Sequence, residues 1–299
     1  MNMSDLSQSN LLLSDESKYV FYLQTSQSKI IKVLFEVLKE VLMGAVNLVF
    51  EKKGITLKTL NGTKKSIVYL NLQSEEFDQY FCNEERFIAG IDTTNLHKIT
   101  KTIQSKDYIK MYVEHKNKGV LIFERINPET KSLYSHKIKL CNVPISNLNI
   151  GNTIYNHSLS LKSLEFQIAC KNLNGLNCDN ISLYFKQNSI ILSGSNDYSD
   201  NEIEIKQQQD DVKDFPSENN EEQNILFDGP NDIKKQGTYL LQYILLFTKA
   251  TALDKNFDIY LNPEKPLTLS YSVGNLGHLD FMLEPSLDDS DYSSDEEDE

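Results

Sequence analysis

The chain has 299 residues, 39% of them hydrophobic and 24% charged, with a net charge of −13. That length allows two domains, each with its own core, and the composition is that of a soluble globular protein rather than a fibrous or membrane one. Four cysteines without C-x-x-C pairing and five scattered histidines argue against a disulfide framework and a structural metal, so no cofactor is expected.

In chain order, residues 1–18 are polar and rich in Ser and Asn, and read as a disordered extension. They lack a basic n-region, and Leu11 to Leu13 is too short for a signal core. The longest apolar run, Leu240 to Phe247, falls well short of a membrane span, so the expectation is an intracellular protein without a membrane partner. A first domain, 19–141, opens with a strand, helix, strand pattern. Its helix over 29–42 places Ile30, Leu34, Val37, Leu38 and Val41 at 3–4 spacing. Strand patterns follow at 55–60, 67–72, 87–91, 108–113 and 119–123, with a short helix near 93–103.

Residues 142–153, with Pro144 and Gly151, read as a linker. A second domain, 154–285, repeats the plan. It has strands near 155–160, 181–185, 189–193 and 202–206, helices near 161–173 and 238–248, and three closing strands. Residues 207–236 form an acidic insertion read as a surface loop, and 286–299 an acidic tail read as disordered. Matching element order suggests an internal duplication, and few helices serving many strands point to α+β with antiparallel sheet.

The negative charge is concentrated. Glu284 to Glu299 holds nine acidic residues and no basic one, and Lys206 to Lys235 holds eight acidic against four basic. Those two segments carry the whole excess (−9 and −4), leaving 26 against 26 elsewhere. The sign of any surface of the body therefore depends on where its lysines sit.

Lys32 and Lys39 are seven residues apart, hence on one helical face, opposite the apolar stripe. In the second helix Leu96, Ile99 and Ile103 form the expected buried stripe while Lys98 and Lys101 point away. Lys249 closes the fourth helix. The third offers two stripes, Phe166, Ala169, Cys170 and Leu173 on one side, Leu164 and Ile168 on the other with Lys171; periodicity does not choose between them. Outward lysines are ordinarily just a solvated face; several lysine-bearing helices lining one surface would instead meet phosphate. The chain has no G-x-x-x-x-G-K-[ST], G-x-S-x-G or H-E-x-x-H motif and no Gly-rich dinucleotide loop, so no enzyme is expected.

Three blocks occur in order: Val33 to Glu40, Ser74 to Tyr80 with its Glu-Glu-Phe-Asp-Gln-Tyr run, and Leu246 to Pro285 with Gly277-His278-Leu279. On these blocks the chain resembles the eukaryotic-type DNA sliding clamps, the proliferating cell nuclear antigen family, from about Phe21 to Pro285. The resemblance implies a two-domain DNA-clamp fold, with sheets outside and helices lining the hole of a homotrimeric ring. It implies a processivity factor that encircles double-stranded DNA without reading sequence and tethers polymerase and other replication or repair proteins. An ATP-dependent clamp loader would open the ring. DNA-facing positions correspond to Lys32, Lys39, Lys98, Lys101, Lys171 and Lys249, which makes Phe166 core. Val33, Ile168 and Gln242 stand where the family often has a basic residue, so a less positive hole is implied.

Ring closure would pair the strand edges Lys131 to Leu140 and Asp200 to Lys206, with Tyr134, His136, Ile138, Ile203 and Ile205 at the subunit interface. Replication factors carry a PIP box, whose pocket corresponds to Leu60, Ile67, Leu148, Ile150, Pro266, Met282 and Pro285. Period-2 alternation independently puts Leu279, Phe281 and Leu283 on one face and leaves Met282 on the other. Met282 lacks the family's aromatic there. The alternative is a clamp-fold scaffold or a checkpoint-type subunit of a heteromeric ring. Richness in Asn, Lys and Ile suggests an AT-rich genome, a protist or a large DNA virus, with action in the nucleus or at a cytoplasmic viral replication site.

Overall fold

The computed structural model describes residues 16–61, 65–145, 148, 155, 157–207 and 232–286. These fall into two compact units, the first drawn from 1–62, 69–148 and 272–279, the second from 63–68, 149–271 and 280–299. The expected extension before Glu16, the acidic stretch 208–231, the tail after Ser286, Ile150 and most of the linker lie outside the described residues.

In the first unit β1 (Tyr19–Thr25) leads into α1 (Ser28–Val41), then β2 (Ala45–Glu51), β3 (Gly54–Leu60), β4 (Ser66–Gln73), β5 (Gln79–Cys82) and β6 (Arg86–Asp92). After α2 (Thr93–Thr100) come β7 (Tyr108–Glu114), β8 (Val120–Ile126) and β9 (Leu133–Lys139). One antiparallel sheet runs β5-β1-β7-β8-β9; β2 pairs with β6 on one side and with β3 on the other. Helix α1 forms because its apolar residues recur at helical spacing. Ile31, Leu34, Phe35, Val37, Leu38 and Val41 are buried, and Ile31 rather than Ile30 heads the stripe. Helix α2 is started by Asp92, whose carboxylate accepts the Asn95 N–H at 2.7 Å. It is shorter than expected and continues as tight turns to Ile103. Thr100 is fully buried, and Ile99 only half.

The Ser74 to Tyr80 block clamps this unit. Phe77 is buried, Asp78 accepts a hydrogen bond from Ser26, and the Tyr80 hydroxyl lies 2.7 Å from the carbonyls of both Glu51 and Gly54. Those carbonyls belong to the β2–β3 turn. Gly54 has φ +137°, and a Cβ there would come within 1.9 Å of the Leu72 carbonyl, so glycine is required.

The second unit contains β10 (His157–Lys162), α3 (Ser163–Gly175), β11 (Asn180–Lys186), β12 (Ser189–Ser195) and β13 (Asp200–Lys206). Then follow β14 (Lys234–Leu240), α4 (Leu241–Phe247), β15 (Asn256–Leu261), β16 (Leu267–Ser272) and β17 (Gly277–Leu283). Its sheets run β13-β12-β11-β14 and β10-β15-β16-β17. The plan is strand, helix, three strands, performed twice; the first unit performs it twice with β5 added. Aromatic rings fill the core: Phe247 stacks on Phe281 at 4.8 Å, Phe257 on Tyr271 at 5.1 Å, and Phe166 lies 5.0 Å from Phe257.

Strand β14 corrects the sequence reading. The insertion was expected to run to residue 236 and a helix to start at 238, but 234–240 is strand and the helix begins at Leu241. The apolar run from Tyr239 to Phe247 belongs to two elements. Tyr239 pairs across from Ile181 and is fully buried with Gln236, whereas Leu241, Ile244 and Phe247 are buried at helical spacing. Within β14, position 237 lies at a bulge, where the register with β11 shifts: Gly237 has φ +150°, and a Cβ on it would meet Pro285 at 2.8 Å.

Candidate functional site

Three surfaces carry the residues singled out by sequence. The first is basic. In the first unit α1 and α2 lie side by side, and their buried stripes leave Lys32 and Lys39 half exposed and Lys98 and Lys101 exposed. Lys32 is tethered, its ammonium donating to the Ile103 carbonyl at 3.2 Å. Lys39 pairs with Glu40 at 2.6 Å, which offsets its charge locally. Lys98 donates to the Asn95 side chain at 3.2 Å; the Lys101 main chain caps α2 by donating to the His97 carbonyl at 2.9 Å, and its ammonium has no hydrogen bond or ion pair among the described residues. The four lysines therefore differ in freedom, with Lys101 the most available to an outside anion.

In the second unit the structure chooses the stripe that periodicity left open. Phe166, Ala169, Cys170 and Leu173 are buried, while Leu164 and Ile168 are 58% and 47% exposed, on the side of Lys171. Lys171 donates to the Gln167 side-chain oxygen at 3.0 Å, one turn back. The same Gln167 amide donates its N–H to the Thr248 carbonyl at 2.8 Å, next to exposed Lys249. Gln167 thus links α3 to the turn that carries Lys249. Its spacing from Lys171 is visible in sequence; its reach to Thr248 is not.

The second surface is a pair of sheet edges. Strand β9 ends the first unit's five-stranded sheet, with Tyr134 47% exposed and His136 and Ile138 half buried. Lys137 and Lys139 point outward from it. Strand β13 ends the second unit's four-stranded sheet, with Asp200 and Glu202 exposed and Ile203 half buried. Ile205, at 6% exposure, lies in its own unit's core, so its available contribution to an interface is main chain. Glu204 is engaged within the sheet: Ser189 donates to it at 2.7 Å and Lys186 at 3.2 Å, and these bonds, Ser189's first, hold its carboxyl below the usual range.

The third set, the residues expected of a peptide pocket, divides between the two units. In the first unit, Leu60 is half exposed at the end of β3, and a hollow of about 290 Å³ is lined by Asn47, Val49, Thr56, Lys58, Tyr69, Arg86, Ile88, Ile145 and Leu148. The start of the linker is tied beside it, with Cys141 donating to the Gly90 carbonyl at 2.9 Å and Asn47 to the Val143 carbonyl at 3.1 Å. Ile67, in the part of β4 that belongs to the second unit, is half exposed, as are Pro266 and Met282 of that unit, and Pro285 is exposed. Leu279, Phe281 and Leu283 are buried, as alternation required. Tyr155 and Tyr260, 5.5 Å apart, add an aromatic shelf that no sequence signal marked, with the Tyr155 hydroxyl 2.6 Å from Thr268.

Two α+β units of matching plan, with lysines on their helices and open sheet edges of unlike charge, define a DNA-clamp subunit. The chain matches the proliferating cell nuclear antigen N-terminal domain over residues 20–146 and its C-terminal domain over 149–286. It is 28% identical over 276 residues to a protein described as probable DNA polymerase sliding clamp 1 of Paramecium bursaria Chlorella virus 1, covering 91% of this chain and 99% of that relative. The chain belongs to the proliferating cell nuclear antigen family.

Proposed function

We propose that this protein is the processivity factor of a DNA polymerase, a sliding clamp that closes around duplex DNA and tethers replication and repair enzymes at the site of synthesis. Tethering raises effective concentration, so a polymerase that lets go of its primer rebinds before it diffuses away. The observation that carries the reading is the placement of cations: in a chain of net charge −13, the helices of both units turn lysines outward from the core. Lys32, Lys39, Lys98, Lys101, Lys171 and Lys249 would face phosphate through loose contacts, many bridged by water, without base readout.

Ring closure is supported by the edges. Unpaired strand edges invite pairing with another chain. The β9 edge offers Lys137 and Lys139, and the β13 edge offers Asp200 and Glu202. Opposite charge on two different edges of one chain suits a heterologous, head-to-tail contact between copies, which generates a ring when the rotation closes. Three copies would close it, and an ATP-driven loader would open it. Peptides of the PIP-box kind would dock on Leu60, Ile67, Leu148, Ile150, Pro266, Met282 and Pro285, with Met282 as an adaptable contact.

The direct test is the mass of the purified protein together with binding of a generic PIP-box peptide. A homotrimer that binds the peptide, and a Met282→Asp variant that binds it at least tenfold more weakly, are expected. A monomer that assembles only with related chains would favour a heteromeric ring instead, and undiminished peptide binding by Met282→Asp would move the pocket elsewhere.

A further inference from the structure

Along β8, Leu121 and Phe123 are buried, so alternation turns position 125 to the same inner face. Arg125 occupies it with its side chain 11% exposed. One guanidinium nitrogen donates to the Thr102 carbonyl at 2.6 Å and to the Asp107 carboxylate at 3.2 Å; the Asp107 side chain is fully buried. The guanidinium carbon also lies 4.0 Å from the centroid of the Tyr134 ring, and the β8–β9 register sets Tyr134 directly across from Arg125. The arginine is therefore held between a helix-to-strand loop and a ring on the sheet's outermost strand.

That loop is fastened at three consecutive carbonyls by three side chains from elsewhere. Arg125 donates to Thr102, Lys32 to Ile103 and Ser28 to Gln104. Asp107 closes it by accepting the Gln104 N–H at 2.8 Å. Lys101 stands at its start. A buried guanidinium is costly to desolvate, and an apolar residue would fill the same space at lower cost. What arginine adds is a flat, permanently charged plate on which an aromatic ring can settle in one orientation.

We propose that Arg125 is a positioning residue for subunit contact: it fixes the Tyr134 ring at the β9 edge where the next subunit meets it, and joins that edge to the loop bearing Lys101. The proposal rests on the ring reading above.

A double-mutant cycle tests it. Arg125→Lys, Tyr134→Ala and the double variant are compared for subunit dissociation constant by sedimentation equilibrium, and for melting temperature as dilute monomers. Arg125→Lys keeps the charge opposite Asp107 but loses the plate. It is expected to raise the dissociation constant about tenfold, while the double variant is no weaker than Tyr134→Ala alone. Should Arg125→Lys fail to fold, Arg125→Met with Asp107→Leu removes the ion pair without leaving an orphaned charge and is expected to weaken assembly alike. Unchanged association in a trimeric protein, or independent effects of the two substitutions, would overturn the inference alone. A wild-type chain that stays monomeric would overturn the ring reading and this inference with it.

Discussion

Lys32 and Ile103 stand 71 positions apart, yet the Lys32 ammonium donates to the Ile103 carbonyl at 3.2 Å. The bond makes Lys32 a structural cation as well as a candidate phosphate contact, which separates it from Lys101 on the neighbouring helix end. Lys32→Met is expected to lower unfolding free energy by about 1 kcal/mol, the usual net worth of such a bond. Lys101→Met should leave stability unchanged within about 0.5 kcal/mol. Urea denaturation of the two variants compares them, and equal losses would contradict the distinction.

Salt dependence reads the phosphate contacts. Counterion release makes the logarithm of DNA affinity fall with the logarithm of salt, with a slope of about 0.9 per phosphate neutralised. Lys101→Gln and Lys249→Gln, both exposed, should each flatten the slope by about one unit per subunit engaged, without sequence preference. Lys39→Gln should change it less, because Glu40 at 2.6 Å already offsets that charge. An unaltered slope in the first two variants would remove them from the DNA-facing set.

The charged edges predict a swap. Glu202→Lys on β13 should weaken assembly, and adding Lys137→Glu on β9 should restore part of the loss. Raising salt should weaken the wild-type contact as well. Light scattering over a concentration series follows both, and a double variant weaker than either single one would contradict opposite-sign pairing of these two edges.

Much of this was legible before any coordinates, for physical reasons. Helix α1 shows its stripe because residues such as Leu34, Val37, Leu38 and Val41 recur at 3.6-residue spacing against a polar face, and the last strand shows its inner face because alternation has period two. Strand β14 was hidden because its last residues merge with the helix in one apolar run, although the repeated plan called for a strand before that helix, as β6 precedes α2. In α3 two stripes compete, and only packing decides that Phe166 goes in while Ile168 stays out. Arg125 left a readable mark, a charge at an inward position of an alternating strand. Its partners did not, since Thr102, Asp107 and Tyr134 meet it only through the fold.

Acid should loosen the second unit through His157. Its ring stacks on Phe185 at 5.6 Å, and burial pushes its pKa down to about 4, against a smaller opposing effect of a hydrogen bond with the Lys186 main chain. An unfolded histidine takes a proton near pH 6.5, so below that value the unfolded chain binds more protons and stability falls as pH falls. The contribution of about 3 kcal/mol is intact above pH ~6.5 and lost by pH ~4. His157→Phe should flatten the stability curve across that window. Chemical denaturation at several pH values compares the two proteins, and parallel curves would contradict the assignment.

The central claim is topological, that the protein holds DNA by enclosing it. Loaded onto a closed circular plasmid by a clamp loader and ATP, it should remain bound through gel filtration at moderate salt and be released when one restriction cut lets it slide off the ends. Equal retention on the circle and on the cut DNA would contradict enclosure and leave ordinary surface binding in its place.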